Sequence, residues 1–229
     1  MQCTNNLHTI AIAALDYKDT AGCFPRATHA NDALPPEERL GWQFELLPYL
    51  EQDRLYCEFD PGQGWDAPYN QAPASFPLKC FRCPKGDDAA PNLTYYVGLA
   101  GLGPHAADLP KDSPKAGLFG WERTVTIKDI GDGTSNTILA IESFVNNGPW
   151  AAGGPATVRC VDVDDQPYIG TDRPFGRVHA DRTWFGTMPM PANAALADGS
   201  VRQLQHTINP RTFEALVTIN GGEERRDDF

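Results

Sequence analysis

The chain has 229 residues, a formal net charge of −11, 41% hydrophobic and 21% charged residues. That length buries a core, and that balance describes an ordinary globular protein and not a disordered one. The acidity disfavours nucleic acid as a partner, because a phosphate-binding surface needs basic stripes to displace counterions, and no Lys/Arg run is longer than Arg225-Arg226.

Twenty-one glycines and twenty prolines predict many turns. No stretch approaches the ~20 apolar residues that a membrane-spanning helix needs. The sequence as written also shows no signal peptide.

Residues 1–20 set Cys3, Leu7, Ile10, Ala11, Ala14 and Leu15 at helical spacing, which predicts an amphipathic helix with one apolar stripe. The run Thr20-Ala21-Gly22-Cys23-Phe24-Pro25 stops it. With so little chain before Thr4, the helix reads either as complete or as the lower half of a longer one. Residues 21–40 read as a Pro-rich connection. The next segment alternates Trp42, Phe44 and Leu46, but Leu46, Leu47, Leu50 and Leu55 favour a helix over about 47–59, with Pro48 in its first turn. Residues 60–76 are expected to form a long surface loop.

The β-branched and aromatic runs 93–97, 123–127 and 137–143 predict strands, with a Gly-rich loop after the first and turn chemistry over 129–136. Residues 146–191 read as irregular. Residues 193–197, then Asp198-Gly199, then 200–204 form a β-hairpin, since Asp-Gly supplies the positive φ angles of a tight turn. A short helix is expected over 212–219. The order predicts a single α+β domain, an N-terminal helix laid across an antiparallel sheet with elaborated loops.

Five of these segments, CTNNLHTIAIAALDYKDTAGCFP, WQFELLPYLEQDRLY, IKDIGDGTSNTILAIES, LADGSVRQLQHTI and ALVTINGGE, resemble in order the DUF1559 family of planctomycete-type bacteria. That family looks pseudopilin-like. The resemblance implies a pilin-like fold, a leader and apolar half-helix upstream of the segment that matches Met1-Gln2-Cys3, anchorage in the inner membrane, and a periplasmic head. It implies a non-enzymatic part in filament or secretion-complex assembly, with other pilin-like or secretion-system subunits as partners. Val178-His179-Ala180-Asp181-Arg182 stands where the family tends to have His-x-Gly-Gly.

The six cysteines allow fifteen pairings in an oxidising compartment, and sequence does not choose among them. Cys23, Cys57, Cys80, Cys83 and Cys160 are the candidate disulfide cysteines. A Cys3–Cys23 pair is disfavoured by the length of the intervening helix. Cys80-Phe81-Arg82-Cys83 has the spacing of half a zinc site or a redox pair, but no second CxxC or spaced His pair accompanies it. Asp162, Asp164, Asp165 and Asp172 form a candidate calcium loop, because hard cations want several carboxylate oxygens. The loop is not an EF-hand: Pro167 stands at the glycine position and Arg173 at that of the bidentate Glu. Asp129, Asp132, Thr134, Ser135 and Asn136 are a candidate ligand loop. Their other reading is that short polar side chains bond their own backbone and fix the entry to a strand.

For catalysis, Ser135 lacks a Gly-x-Ser-x-Gly setting, and a triad of His179, Asp181 and Asp162 is one of many that five histidines and thirty acids allow. Trp65, Trp121, Trp150 and Trp184 in loops keep a carbohydrate-binding alternative, while Trp42 reads as core.

Overall fold

The computed structural model describes residues 2–84, 90–176, 182–183, 186–187 and 190–222. Helix α1 (Gln2–Ala21) is followed by three one-turn helices, α2 (Trp42–Glu45), α3 (Asp53–Tyr56) and α4 (Gln71–Ala74). Strands β1 (Tyr96–Leu102), β2 (Ile138–Glu142), β3 (Val158–Val161), β4 (Arg182–Thr183), β5 (Gly186–Thr187), β6 (Ala192–Leu196) and β7 (Val201–Leu204) precede helix α5 (Pro210–Val217). Five strands form one sheet in the order β3-β1-β2-β6-β7, and β4 and β5 pair as a separate two-stranded sheet. The fold is α+β.

The N-terminal helix forms where its stripe predicts. Leu7, Ile10, Ala11, Ala13 and Ala14 are buried, while Cys3 and Leu15 are half-buried at the two ends of the contact. The helix lies against β2, β6 and β7. Small side chains line both partners, Ala11 and Ala14 on the helix and Ala140 and Ala195 on the strands, all in one core cluster. Burying Leu7 and Ile10 contributes about 1.5–3 kcal/mol each. Gly22, at φ +78°, ends the helix by donating its N–H to Lys18 O at 2.7 Å, the left-handed cap that glycine adopts without strain.

The sheet is covered on both faces. Tyr96 and Ala100 of β1 face the α1 cluster, while Val97 and Leu99 join Ile141, Leu196, Phe213, Leu216 and Val217 on the side of α5. Rings close the second layer: Phe213 stacks on Tyr168 at 4.9 Å and lies 5.5 Å from Phe175.

Several expectations need correction. The sheet is mixed, because β3 runs parallel to β1, with Gly98 opposite Val158. No strand covers 123–127; this segment is an irregular run leading into a short 3-10 turn at Ile127–Asp129. The predicted helix over 47–59 is a 3-10 turn at Leu47–Leu50 and then α3, interrupted where Glu51 takes a left-handed φ of 58°. That break lets Phe44 stack on Tyr56 at 4.7 Å and meet Phe59 edge-on, which one continuous helix would separate. The Gly-rich stretch read as a loop is most of β1. Gly98 lies where a Cβ would meet the Phe119 ring at 2.5 Å, and at Gly101 a Cβ would sit 2.1 Å from Lys115 O. Glycine serves close packing there, not a turn.

Candidate functional site

The polar cluster before β2 is built into the backbone around it. Thr126 caps the 3-10 turn Ile127–Asp129, with Asp129 Oδ2 accepting from the Thr126 N–H at 2.8 Å and from its hydroxyl at 2.7 Å. Asp132 reaches across to the chain after α5, where its carboxylate accepts from Gly221 N–H at 2.8 Å and Gly222 N–H at 3.4 Å. Its own N–H donates to Ile219 O at 3.2 Å. The Asn136 amide donates to Asp132 O at 3.0 Å. The Asp198 N–H donates to Thr134 O at 3.1 Å, and Ala197 N–H to Thr137 O at 2.8 Å.

Three sequence segments thus meet at one corner of the sheet: 126–137, the β6–β7 turn and 218–222. Gly131 permits the approach, since a Cβ there would lie 2.5 Å from Asn220 Oδ1. Asp129, Asp132, Thr134 and Asn136 act here as backbone organisers, and Ser135 sits half-buried beside Asn136, whose amide lies 3.4 Å from the Ser135 hydroxyl. The side chains of Asp129, Asp132 and Asn136 bond nearby or facing backbone, as short polar residues do in turns.

Asp129 also accepts from Lys111 Nζ at 2.7 Å. The Lys111 hydrogen bond and then the two from Thr126 hold the Asp129 carboxyl down to about 2. A carboxylate depressed in the folded state contributes stability that is present above its ordinary pKa near 4 and is lost as pH falls towards about 2. A carbon-detected NMR titration should place the Asp129 midpoint near 2. Asp129→Asn should flatten the acid limb of stability between about pH 4 and 2; a midpoint near 4 would mean that Lys111 does not engage it. The effect on stability is small, on the order of 1 kcal/mol or less, because Lys111 is 52% exposed.

The acidic loop does not gather its carboxylates. Asp162 Oδ1 accepts from the Asp164 N–H at 3.1 Å, and Asp165 is paired with Arg173 at 2.6 Å. Asp172 takes a left-handed φ of 58° in the turn beyond. Among the described residues, no group of three or more His, Cys, Asp or Glu stands together to hold a metal ion. Asp162, Asp164, Asp165 and Asp172, grouped by sequence as a candidate calcium loop, are thus not brought together three or more at one point.

Among the tryptophans, Trp42 is core, with its indole N–H donating to Thr157 O at 3.0 Å and its ring 4.9 Å from Phe119. Trp150, read as a loop residue open to sugars, is 1% exposed and donates to Phe76 O at 2.8 Å. Trp65 is half-buried with its N–H on Glu37 O, and Trp121 is half-buried against the core. Trp184, His179 and Asp181 lie outside the described residues.

At the other end of α1 the sequence hid a built contact. The Asn6 amide donates to Arg82 O at 2.7 Å, Lys79 O at 3.3 Å and the Tyr96 hydroxyl at 3.1 Å. One turn earlier, Cys3 Sγ lies 3.5 Å from Cys83 Sγ. Burial raises the Tyr96 hydroxyl far above its usual value, so it stays protonated. The first turn of α1 is therefore clasped by the 79–83 turn, which leads into β1. The spacing in CTNNLH places Cys3 and Asn6 on one helix face, but their partners lie some eighty residues on. Cys80 packs against the core, where burial pushes its thiol up to about 11. Cys57 is exposed; Cys23 and Cys160 are half-buried.

The helix, the mixed sheet and the hydrogen-bonded corner beside β2 make up an α+β fold. The family SBP_bac_10, described as protein of unknown function (DUF1559), matches residues 1–211, and the chain belongs to it. No curated protein and no solved structure matches the chain.

Proposed function

We propose that this chain is the extracytoplasmic head of a pilin-like envelope protein that works by assembly and not by catalysis. The observation that carries the reading is α1. Twenty residues long, it is docked along one sheet face by Leu7, Ile10, Ala11 and Ala14 and clasped at its first turn by Asn6. A helix held this way transmits the direction of any apolar segment upstream of it to the head. Its opposite face presents Asn5, His8, Thr9, Ile12 and Asp16 to solvent, a surface for neighbouring pilin-like or secretion-system subunits. Anchorage in the inner membrane would come from that upstream segment. The loop before β2 fits the reading too, since the Asp129, Asp132 and Asn136 side chains hold backbone around them.

The test is to fractionate cells that produce the native protein, determine its N-terminus by mass spectrometry, and cross-link through a photoreactive residue at position 12. Recovery in the envelope fraction, with a start upstream of Met1 and adducts to a second copy or another pilin-like subunit, is expected. A cytosolic protein that starts at Met1 and gives no adduct would sink the reading. A rise in melting temperature with millimolar calcium or oligosaccharide would point instead to a ligand-binding module, because a ligand that binds only the folded state raises apparent stability.

A further inference from the structure

The geometry points to a disulfide between Cys3 and Cys83, a covalent latch that fixes the first turn of α1 to the turn before β1. It does not rest on the assembly reading. The two Sγ atoms lie 3.5 Å apart across 80 residues of sequence. A disulfide spans ~2.05 Å, and rotation about χ1 of either side chain covers the remaining gap of roughly 1.5 Å. The two segments are already held together beside the pair, because Asn6, one turn along the helix from Cys3, donates to Arg82 O and Lys79 O just before Cys83. Cys83 is 2% exposed and Cys3 is half-buried, so an incoming oxidant meets Cys3 first. The competing partner within the CxxC, Cys80, is packed against the core.

The oxidant is a disulfide donor, either a dithiol oxidoreductase in its oxidised form or oxidised glutathione. The Cys3 thiolate attacks one donor sulfur, the donor S–S bond breaks, and the other donor sulfur leaves and takes a proton. Cys83 then loses its proton and attacks the Cys3 sulfur of the mixed disulfide, releasing the second donor sulfur as a thiol. Two electrons pass to the donor, and the two protons from the protein thiols end on it. The hydrogen bond with Cys83, and then burial, raise the Cys3 thiol, so attack in the folded protein is slow and the finished bridge is shielded. Closing so long a loop restricts the unfolded chain strongly, and the bridge is expected to raise the melting temperature by about 10 °C.

The sequence makes the test direct, because trypsin places each cysteine in its own peptide: 1–18, 19–26, 55–79, 80–82, 83–85 and 160–177. The purified full chain is equilibrated with oxidised and reduced glutathione, alkylated and digested without reductant. Peptide 1–18 joined to 83–85 is expected, together with the rise in melting temperature over the reduced protein. Cys3→Ser and Cys83→Ser should each abolish both. Peptide 80–82 joined to 83–85, or six alkylated cysteines after the most oxidising buffer, would overturn the assignment. So would an undiminished temperature shift in Cys3→Ser. The comparison of oxidised with reduced wild type needs no variant, so a poorly folding substitution leaves the test intact.

Discussion

Replacing Arg123 by methionine is expected to lower the free energy of unfolding by about 3–5 kcal/mol. Arg123 is 8% exposed, and its guanidinium donates to backbone carbonyls on three segments: Ala100 in β1, Ala106 and Leu109 in the turn that follows, and Phe119 beyond it. Burial pulls the group down to about 10, which leaves it charged at neutral pH. Methionine matches the length of the stem but donates nothing, so those carbonyls lose their partners in a dry interior. The loss of even one such partner costs about 1–3 kcal/mol. Arg123→Lys should recover only part of the loss, because a single ammonium does not reproduce the planar fork. Urea unfolding of the three proteins measures it. A loss under about 1 kcal/mol would mean that water enters and replaces the guanidinium donors.

The same residue shows why the sheet was only partly legible. Arg123-Thr124-Val125-Thr126-Ile127 has strand composition, yet the fold uses it as an irregular run, pinned by the Arg123 guanidinium and by the Phe24 N–H on Val125 O. Propensity describes a half-buried pleated surface, and tertiary hydrogen bonds overrode it here. β1 failed in the opposite direction. Its glycines look like punctuation, but Gly98 and Gly101 are where the Phe119 ring and the 115–117 backbone press against the strand. β3 was lost because a parallel partner lies far along the chain and leaves no turn signal behind.

What was legible was local. The α1 stripe fixes its own buried face, and Asp198-Gly199 fixes its own hairpin, with Asp198 Oδ1 accepting from the Ser200 N–H at 2.9 Å. The alternative reading of 129–136 as a backbone-bonding turn was legible for the same reason, since its hydrogen bonds begin within a few residues. What the sequence does not reveal is that Asp132 also receives Gly221, or that Cys3 meets Cys83. Both contacts join segments about eighty or ninety residues apart, and only the folded sheet brings them together.

Two isoleucines two positions apart on α1 separate the roles of its faces. Ile10 is 0% exposed and Ile12 is 47% exposed. Ile10→Asp removes a packed side chain, at about 2–5 kcal/mol, and places a carboxylate where it is desolvated, at several kcal/mol more. Against a total stability on the order of 5–15 kcal/mol, the expected result is a protein that fails to fold or melts roughly 10–20 °C lower. Ile12→Asp introduces the same charge into water and should shift stability by less than about 0.5 kcal/mol. Thermal melts of both variants, with hydrogen exchange at the α1 amides, give the comparison. Equal losses would mean that α1 does not dock along its Leu7–Ile10–Ala14 stripe. If the outer face of α1 meets other subunits, Ile12→Asp has a second consequence that folding does not predict. It leaves the melt unchanged while reducing recovery of the protein in assembled, cross-linked form, because a charge at the centre of an apolar contact is desolvated without a partner. An Ile12→Asp variant that assembles as well as wild type would remove this face of α1 from the interface.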